Sequence, residues 1–209
     1  TEKFAVERDV KAGAYSLESY LLGKALGTAP SRLVVTGIFI LVCYPIAFSP
    51  EVWGASAEAI TSVFGIIFVI FFMTMACDAI GALIASSFDI LPYALSFTNA
   101  YGMCALLFGG FYSARVWSGV SWLQYFSVVL YSYDGAARLQ FQNPQEYECD
   151  EANFFATCVT EQEVSSIEVQ QILGISARSV GTNILALVLF VVISYCLTFA
   201  VLKYKFARK

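Results

Sequence analysis

The stretch LLFGGFYSARVWSGVSWLQYFSVVLYSYDGAARLQF (Leu106–Phe141) decides the topology of this chain. Between Arg115 and Asp134 it holds an uncharged run, Val116–Tyr133, close to the length that crosses a bilayer. The run is broken by serines and a glycine, is rich in aromatics, and follows an apolar run of its own. It reads as a transmembrane span, as a buried core segment, or as an element that enters the membrane and turns back.

Composition narrows the solvent. Hydrophobic residues make up 58% of the 209 and charged residues 13%, with a mean hydropathy of +0.69. A soluble domain is about one quarter charged, so lipid is the implied surroundings. There is no histidine, which removes the commonest general base and metal ligand; no catalytic residue and no metal site is expected. Thr1–Arg32 is polar and amphipathic without the short apolar core of a signal peptide. The chain reads as an excerpt that begins inside a larger polypeptide.

A spanning helix needs about 20 mostly apolar residues. Charge-poor runs of that order predict spans at 32–49, 59–87, 90–112 and 179–202. Pro92 disfavours helix at the residue before it, so the Asp89–Pro92 region is expected to turn between the second and third.

The charges then orient the spans. Lys3, Arg8, Lys11, Lys24 and Arg32 precede the first, and Lys203, Lys205, Arg208 and Lys209 follow the last. The other bases, Arg115, Arg138 and Arg178, share their segment with Asp134, Glu146, Glu148, Asp150, Glu151, Glu161, Glu163 and Glu168. The positive-inside rule places both termini in the cytoplasm and 113–178 outside. Termini on one side require an even number of crossings, so Val116–Tyr133 is not a fifth span. It is expected to be re-entrant, with Trp117, Trp122, Tyr125, Tyr131 and Tyr133 suited to the headgroup level.

Cys43, Cys77, Cys104 and Cys196 fall inside the expected spans, where a thiol packs as a small hydrophobe. Cys149 and Cys158 lie in the acidic outer loop. An oxidising compartment favours a disulfide between them; two free or intermolecular thiols are the alternative. Asp78 is the acid well inside a span, and an intramembrane carboxylate normally faces the bundle interior, a partner or water. It lines a path or relays protons, or it is a satisfied contact with Thr74 or Ser86 nearby on its helix. Asn99, Gly102, Met103 and Leu106 share one helix face by spacing, and on spacing alone that face serves helix packing as readily as a ligand.

Four segments together resemble one family. "FAVERDVKAGAYS" (4–16) is similar to an F-x-R-E-x-x-x-G-x-Y segment, with Arg8, Asp9, Gly13 and Tyr15 in register. "YLLGKALGTAP" (20–30) resembles the entry to that family's third helix, on Tyr20, Lys24, Leu26 and Pro30. "FGGFY" (108–112) followed by "WLQYFSVVLYSYDGA" (122–136), and the closing "VLKYKFARK" (201–209), complete the likeness. The family is the G (White) subfamily of ABC transporters, and the resemblance is to the C-terminal part of the transmembrane domain, an ABC-2 type membrane domain.

The resemblance implies roles. Glu7, Arg8, Asp9, Gly13 and Tyr15 would belong to a cytoplasmic coupling helix within 1–31 that docks on a nucleotide-binding domain; a solvated juxtamembrane helix attracting anionic lipid is the plainer reading. Asn99, Gly102, Met103 and Leu106 would line a substrate path, and Phe111 and Tyr112, above the pair Gly109–Gly110, an outer gate. The chain holds no G-x-x-x-x-G-K-[ST] phosphate loop, so ATP and Mg are expected at a nucleotide-binding domain outside it.

The expected architecture is therefore all-α and polytopic. Residues 1–31 form the coupling region, 32–112 three transmembrane helices, 113–178 a re-entrant outer hairpin with a small extracellular loop domain, and 179–209 the last helix and basic tail. The expected function is the membrane part of an ATP-driven plasma-membrane exporter of lipids, sterols or hydrophobic xenobiotics. Its partners would be a nucleotide-binding domain, a second half-transporter in a homo- or heterodimer, and membrane lipids, with no nucleic acid. The competing reading is a four-span scaffold or channel-like protein without a motor.

Overall fold

The computed structural model describes residues 6, 8–10, 12–47, 57–110, 119–141, 146–148, 163–165, 169–171, 173–175 and 178–208. Within them lie helices α1 (Leu17–Ala47), α2 (Ala57–Ser87), α3 (Leu91–Leu107), α4 (Val128–Gln140) and α5 (Val180–Arg208). A 3-10 helix, Ser121–Phe126, precedes α4, and two short strands, β1 (Glu146–Glu148) and β2 (Glu163–Ser165), lie between α4 and α5.

Among the described residues, three stretches are long and apolar enough to cross a membrane: Leu17–Tyr44, Ile60–Ser87 and Val180–Ala207, each of 28 residues. At 1.5 Å per residue each is about 42 Å long, more than the roughly 30 Å of a hydrocarbon core.

The long helices are fixed in register by side chains. Leu17 and Leu21 at the start of α1 cluster with Leu202 near the end of α5. Lys205 Nζ donates to Ser87 O at 2.8 Å and to Asp89 Oδ1 at 3.0 Å, so the last turns of α2 and α5 meet at one level. Ile40 and Tyr44 of α1 pack with Val63, Ile66 and Ile67 of α2 at the opposite level. Hence α2 and α5 run parallel to each other and antiparallel to α1. We call the level of Leu17, Ser87 and Lys205 the lower end and that of Tyr44 and Val63 the upper end.

A chain that finishes α2 at the lower end must return upward before α5 begins. A single span over 90–112 is the sequence expectation; the structure divides the climb between α3 and α4. Helix α4 lies antiparallel to α2. Leu139 meets Gly65 and Val69 meets Gly135, while Ser132 Oγ donates to Met73 Sδ at 3.0 Å. Ser132 therefore sits about 20 Å below Ile60, and α4 climbs from there to Gln140, which accepts from Tyr44 Oη at 2.8 Å.

Between the two climbs, the chain leaves and returns at one point. Ser127 Oγ donates to Ala105 O at 2.7 Å and caps α4 by accepting from Leu130 N at 3.3 Å. Ala105 and Ser127 are thus joined although 22 positions apart in sequence. Val116–Tyr133 contains no single spanning helix: where the structure describes it, a 3-10 turn and the start of α4 divide it at Ser127.

Two features differ from the sequence reading. Helix α1 starts at Leu17, not near Arg32, so Arg32 lies mid-helix. Pro30 lies inside it, between Thr28 and Ser31, whose hydroxyls donate to Lys24 O at 3.0 Å and to Thr28 O at 2.8 Å. The acidic loop holds an antiparallel strand pair with Tyr147 opposite Val164, a minor departure from an all-α chain.

Candidate functional site

Helix α3 presents the face on which Asn99, Gly102, Met103 and Leu106 lie. The helix buries only Ala94 and Ala105. Asn99 is exposed and Gly102 half-buried, while Met103 is 67% and Leu106 45% exposed. Tyr93, Leu95, Phe97 and Leu107 are also exposed on this helix. An apolar helix with one exposed amide suits contact with lipid, a second chain or an amphiphile, and its own chain covers little of it.

The anchor of α3 is at its upper end. Tyr101 Oη donates to Phe126 O at 3.3 Å, beside the Ser127–Ala105 bond. Gly109 is needed because a Cβ there would lie 2.6 Å from Val129 Cγ1 and 2.9 Å from Ala105 O. Gly110 turns at φ +86, a conformation glycine adopts without steric cost. Gly109 is thus a tight packing joint, and Gly110 a turn. Phe111 and Tyr112 lie outside the described residues.

At the lower end, Arg8, Asp9, Gly13 and Tyr15 form one short segment. Ala12 N donates to Arg8 O and Ala14 N to Asp9 O, and Gly13 ends the turn at φ +75. Arg8 Nε lies 3.4 Å from Asp9 Oδ1, an exposed pair of neighbours. Tyr15 stacks on Tyr20 with ring centroids 6.1 Å apart. Glu7 lies outside the described residues, as do Cys149 and Cys158. Cys43, Cys77, Cys104 and Cys196 are free thiols.

Asp78 has a partner that sequence reading assigned elsewhere. Arg32 Nη2 donates to Asp78 Oδ1 at 2.9 Å, and Arg32 Nε lies 2.7 Å from Oδ2. The two-point contact joins α1 to α2 within their apolar lengths. Thr74 and Ser86, its expected neighbours, instead donate to Phe71 O and Leu83 O. The clue was Arg32 itself, followed by an apolar run and read as the boundary of the span.

A buried polar group on α4 was not foreseen. Asp134 is 2% exposed, and Arg178 Nη1 approaches its Oδ2 at 3.9 Å. The Arg178 guanidinium lies 5.4 Å from the ring centroids of both Tyr125 and Tyr131. Tyr131 Oη donates to Tyr125 O at 3.1 Å. The side-chain amide of Asn183, fully buried one turn into α5, has no hydrogen-bond partner among the described residues. The spacing of Ser127, Leu130, Tyr131 and Asp134 does place the acid on one helix face with buried neighbours. Its charge made it look like the end of a run.

Comparison with known proteins gives these features a family context. The family model for the ABC-2 type transporter matches residues 1–141. Protein white of Drosophila melanogaster is 25% identical over 206 residues, 97% of this chain and 28% of that protein. ABC transporter G family member 21 of Arabidopsis thaliana is 22% identical over 143 residues, 68% of this chain and 20% of the relative. Member 14 of the same plant family is 23% identical over 148 residues, 71% of this chain and 22% of the relative. The chain thus spans between a fifth and three tenths of the length of these relatives.

Proposed function

The chain belongs to the ABC-2 type transporter family, and on that premise we propose that it forms half of the membrane path of an ATP-driven exporter. Two such halves would meet along α3, and the cargo would be a lipid, a sterol or a hydrophobic xenobiotic. The observation that carries this reading is the uncovered face of α3, where Asn99, Met103 and Leu106 stand exposed on a helix that buries only two alanines. A ligand site that is mostly apolar with few polar groups suits flat or greasy amphiphiles.

Nucleotide use is assigned to a cassette outside this stretch, because the sequence has no phosphate loop. The segment Arg8–Tyr15 lies at the lower end, beside the start of α1, where a cassette would dock. Closure of the cassette would move this segment and α1 as a rigid body. In this reading four crossings are completed by α1, α2, α5 and the combined climb of α3 and α4. The lower end faces the cytoplasm of a plasma-membrane protein, and the acidic loop faces outward.

Met103→Trp in the full-length transporter tests the path. The expected outcome is altered relative transport of two hydrophobic substrates with cassette ATP turnover retained. Unchanged selectivity with normal transport would remove α3 from the path.

A further inference from the structure

The contact between α4 and α5 changes character along its length. Its lower part is sealed by apolar packing. Val69 of α2, Val128 of α4 and Leu187 of α5 belong to one cluster and are fully buried, and the Tyr131 ring lies 5.8 Å from that of Phe190. One turn above Leu187, Asn183 meets Gly135 of α4, where an added Cβ would lie 3.6 Å from the Asn183 Cβ and 3.2 Å from Val69 Cγ1. From that level the joint is polar and incompletely paired. The amide nitrogen and oxygen of Asn183, Arg138 Nε and Arg178 Nη1 are all buried without a hydrogen-bond partner among the described residues.

We propose that the upper part of this joint is a seam poised to open: Arg178 latches it shut across Asp134, and the unpaired amide of Asn183 favours its opening. Arg178 stands two residues before α5 and reaches over to α4 and to the 3-10 helix before it. Its Nη1 approaches Asp134 Oδ2 at 3.9 Å, an ion contact longer than a hydrogen bond. Its guanidinium also lies 5.4 Å from the ring centroids of Tyr125 and Tyr131, and those two residues are tied by the bond from Tyr131 Oη to Tyr125 O. One carboxylate and two aromatic faces therefore hold the entry to α5 against the elements before it.

Asn183 pulls the other way. Burying an amide with neither its donor nor its acceptor met is costly, and parting the helices would let water reach it. The same holds for Arg138 Nε, one turn above Asp134 on α4. A joint that gains hydrogen bonds on opening has a lower opening free energy than the apolar packing beneath it. The cluster of Val69, Val128 and Leu187 then serves as the hinge, and the motion is confined to the upper end. The inference concerns the packing of these helices alone, so it stands apart from the export reading.

The test is hydrogen–deuterium exchange of the full-length protein in lipid nanodiscs, read by mass spectrometry over 132–140 and 180–186. Arg178→Met is expected to speed exchange in both segments about tenfold, the equivalent of roughly 1.4 kcal/mol. Asn183→Leu, which keeps the volume and removes the unmet amide, is expected to slow it about fivefold. Exchange in α1 should stay the same in both variants. Opposite shifts identify a latch and a counter-force at one seam, whereas general loosening would move both variants the same way and overturn the proposal. Unchanged exchange in Arg178→Met would also overturn it. So would faster exchange or failed folding in Asn183→Leu, because the amide would then be hydrogen-bonded in the closed seam.

Discussion

At the residue scale, the Arg32–Asp78 contact decides how two membrane helices are joined. An unpaired charge at the middle of a spanning helix costs about 2.5–3.5 kcal/mol by insertion measurements, and the Arg32–Asp78 hydrogen bond with its ion contact offsets that for both partners. Asp78→Asn is therefore expected to destabilise the folded protein by about 2–3 kcal/mol, because Arg32 keeps its charge without a counter-charge. Replacing both residues by apolar ones of similar volume should recover most of the loss, since two charges then leave the membrane together. Thermal unfolding of wild type, Asp78→Asn, Arg32→Met and Arg32→Met/Asp78→Leu completes the cycle, and additive losses would mean that the pair does not couple. If Asp78→Asn abolished transport with stability and ATP turnover unchanged, the carboxylate would be a proton relay instead. Sequence reading found Asp78 because an acid interrupts an apolar run. It missed Arg32 because α1 starts fifteen residues earlier than the span expected from 32, and the first half of that helix is too polar to look like a span.

At the element scale, the turn from α3 into α4 depends on atoms too close to admit a side chain. Gly109→Ala would set a methyl 2.6 Å from Val129 Cγ1 and 2.9 Å from a backbone oxygen. Overpacking of this kind typically costs about 1–3 kcal/mol, and the strain falls beside the Ser127–Ala105 hydrogen bond that joins α3 to the start of α4. Val129→Ala should restore only part of the stability of Gly109→Ala, because Ala105 O belongs to the backbone and cannot be removed. Denaturation of the two single variants and the double variant measures this, and complete rescue would show that the backbone clash relaxes freely. The apolar lengths of the long helices were legible as charge-poor runs, and Val116–Tyr133 was legible as something other than one spanning helix: where it is described, a 3-10 turn and the start of α4 divide it. The division of the climb was not, because the bond from Ser127 to Ala105 joins residues 22 positions apart and leaves no local pattern. The strand pair was equally hidden, since each strand has three residues and alternation over so short a length carries little signal.

At the scale of the whole molecule, the parallel course of α2 and α5 constrains which residues share a side of the membrane. Both helices end at the lower level, where Lys205 bonds Ser87 O and Asp89, and α1 begins there beside Leu202. Arg8 precedes α1 at that same end, and Lys203 lies in the last turns of α5. Thr182 is exposed in the first turn of α5, at the other side of a stretch long enough to cross the bilayer. A bundle that bases hold to the cytoplasmic face must therefore show Arg8 and Lys203 together and Thr182 opposite. Single cysteines at these three positions, in a full-length protein freed of its other accessible thiols, separate the possibilities. A membrane-impermeant maleimide applied to intact cells should label Thr182→Cys alone, and permeabilisation should add Arg8→Cys and Lys203→Cys. Labelling of all three in intact cells would break the link between helix register and membrane side. Exclusive labelling of Arg8→Cys and Lys203→Cys would keep the bundle but invert it, placing the acidic loop inside. An inverted bundle would also move the Arg8–Tyr15 segment away from any cytoplasmic cassette, so the same three cysteines decide whether the lower end is where the motor acts.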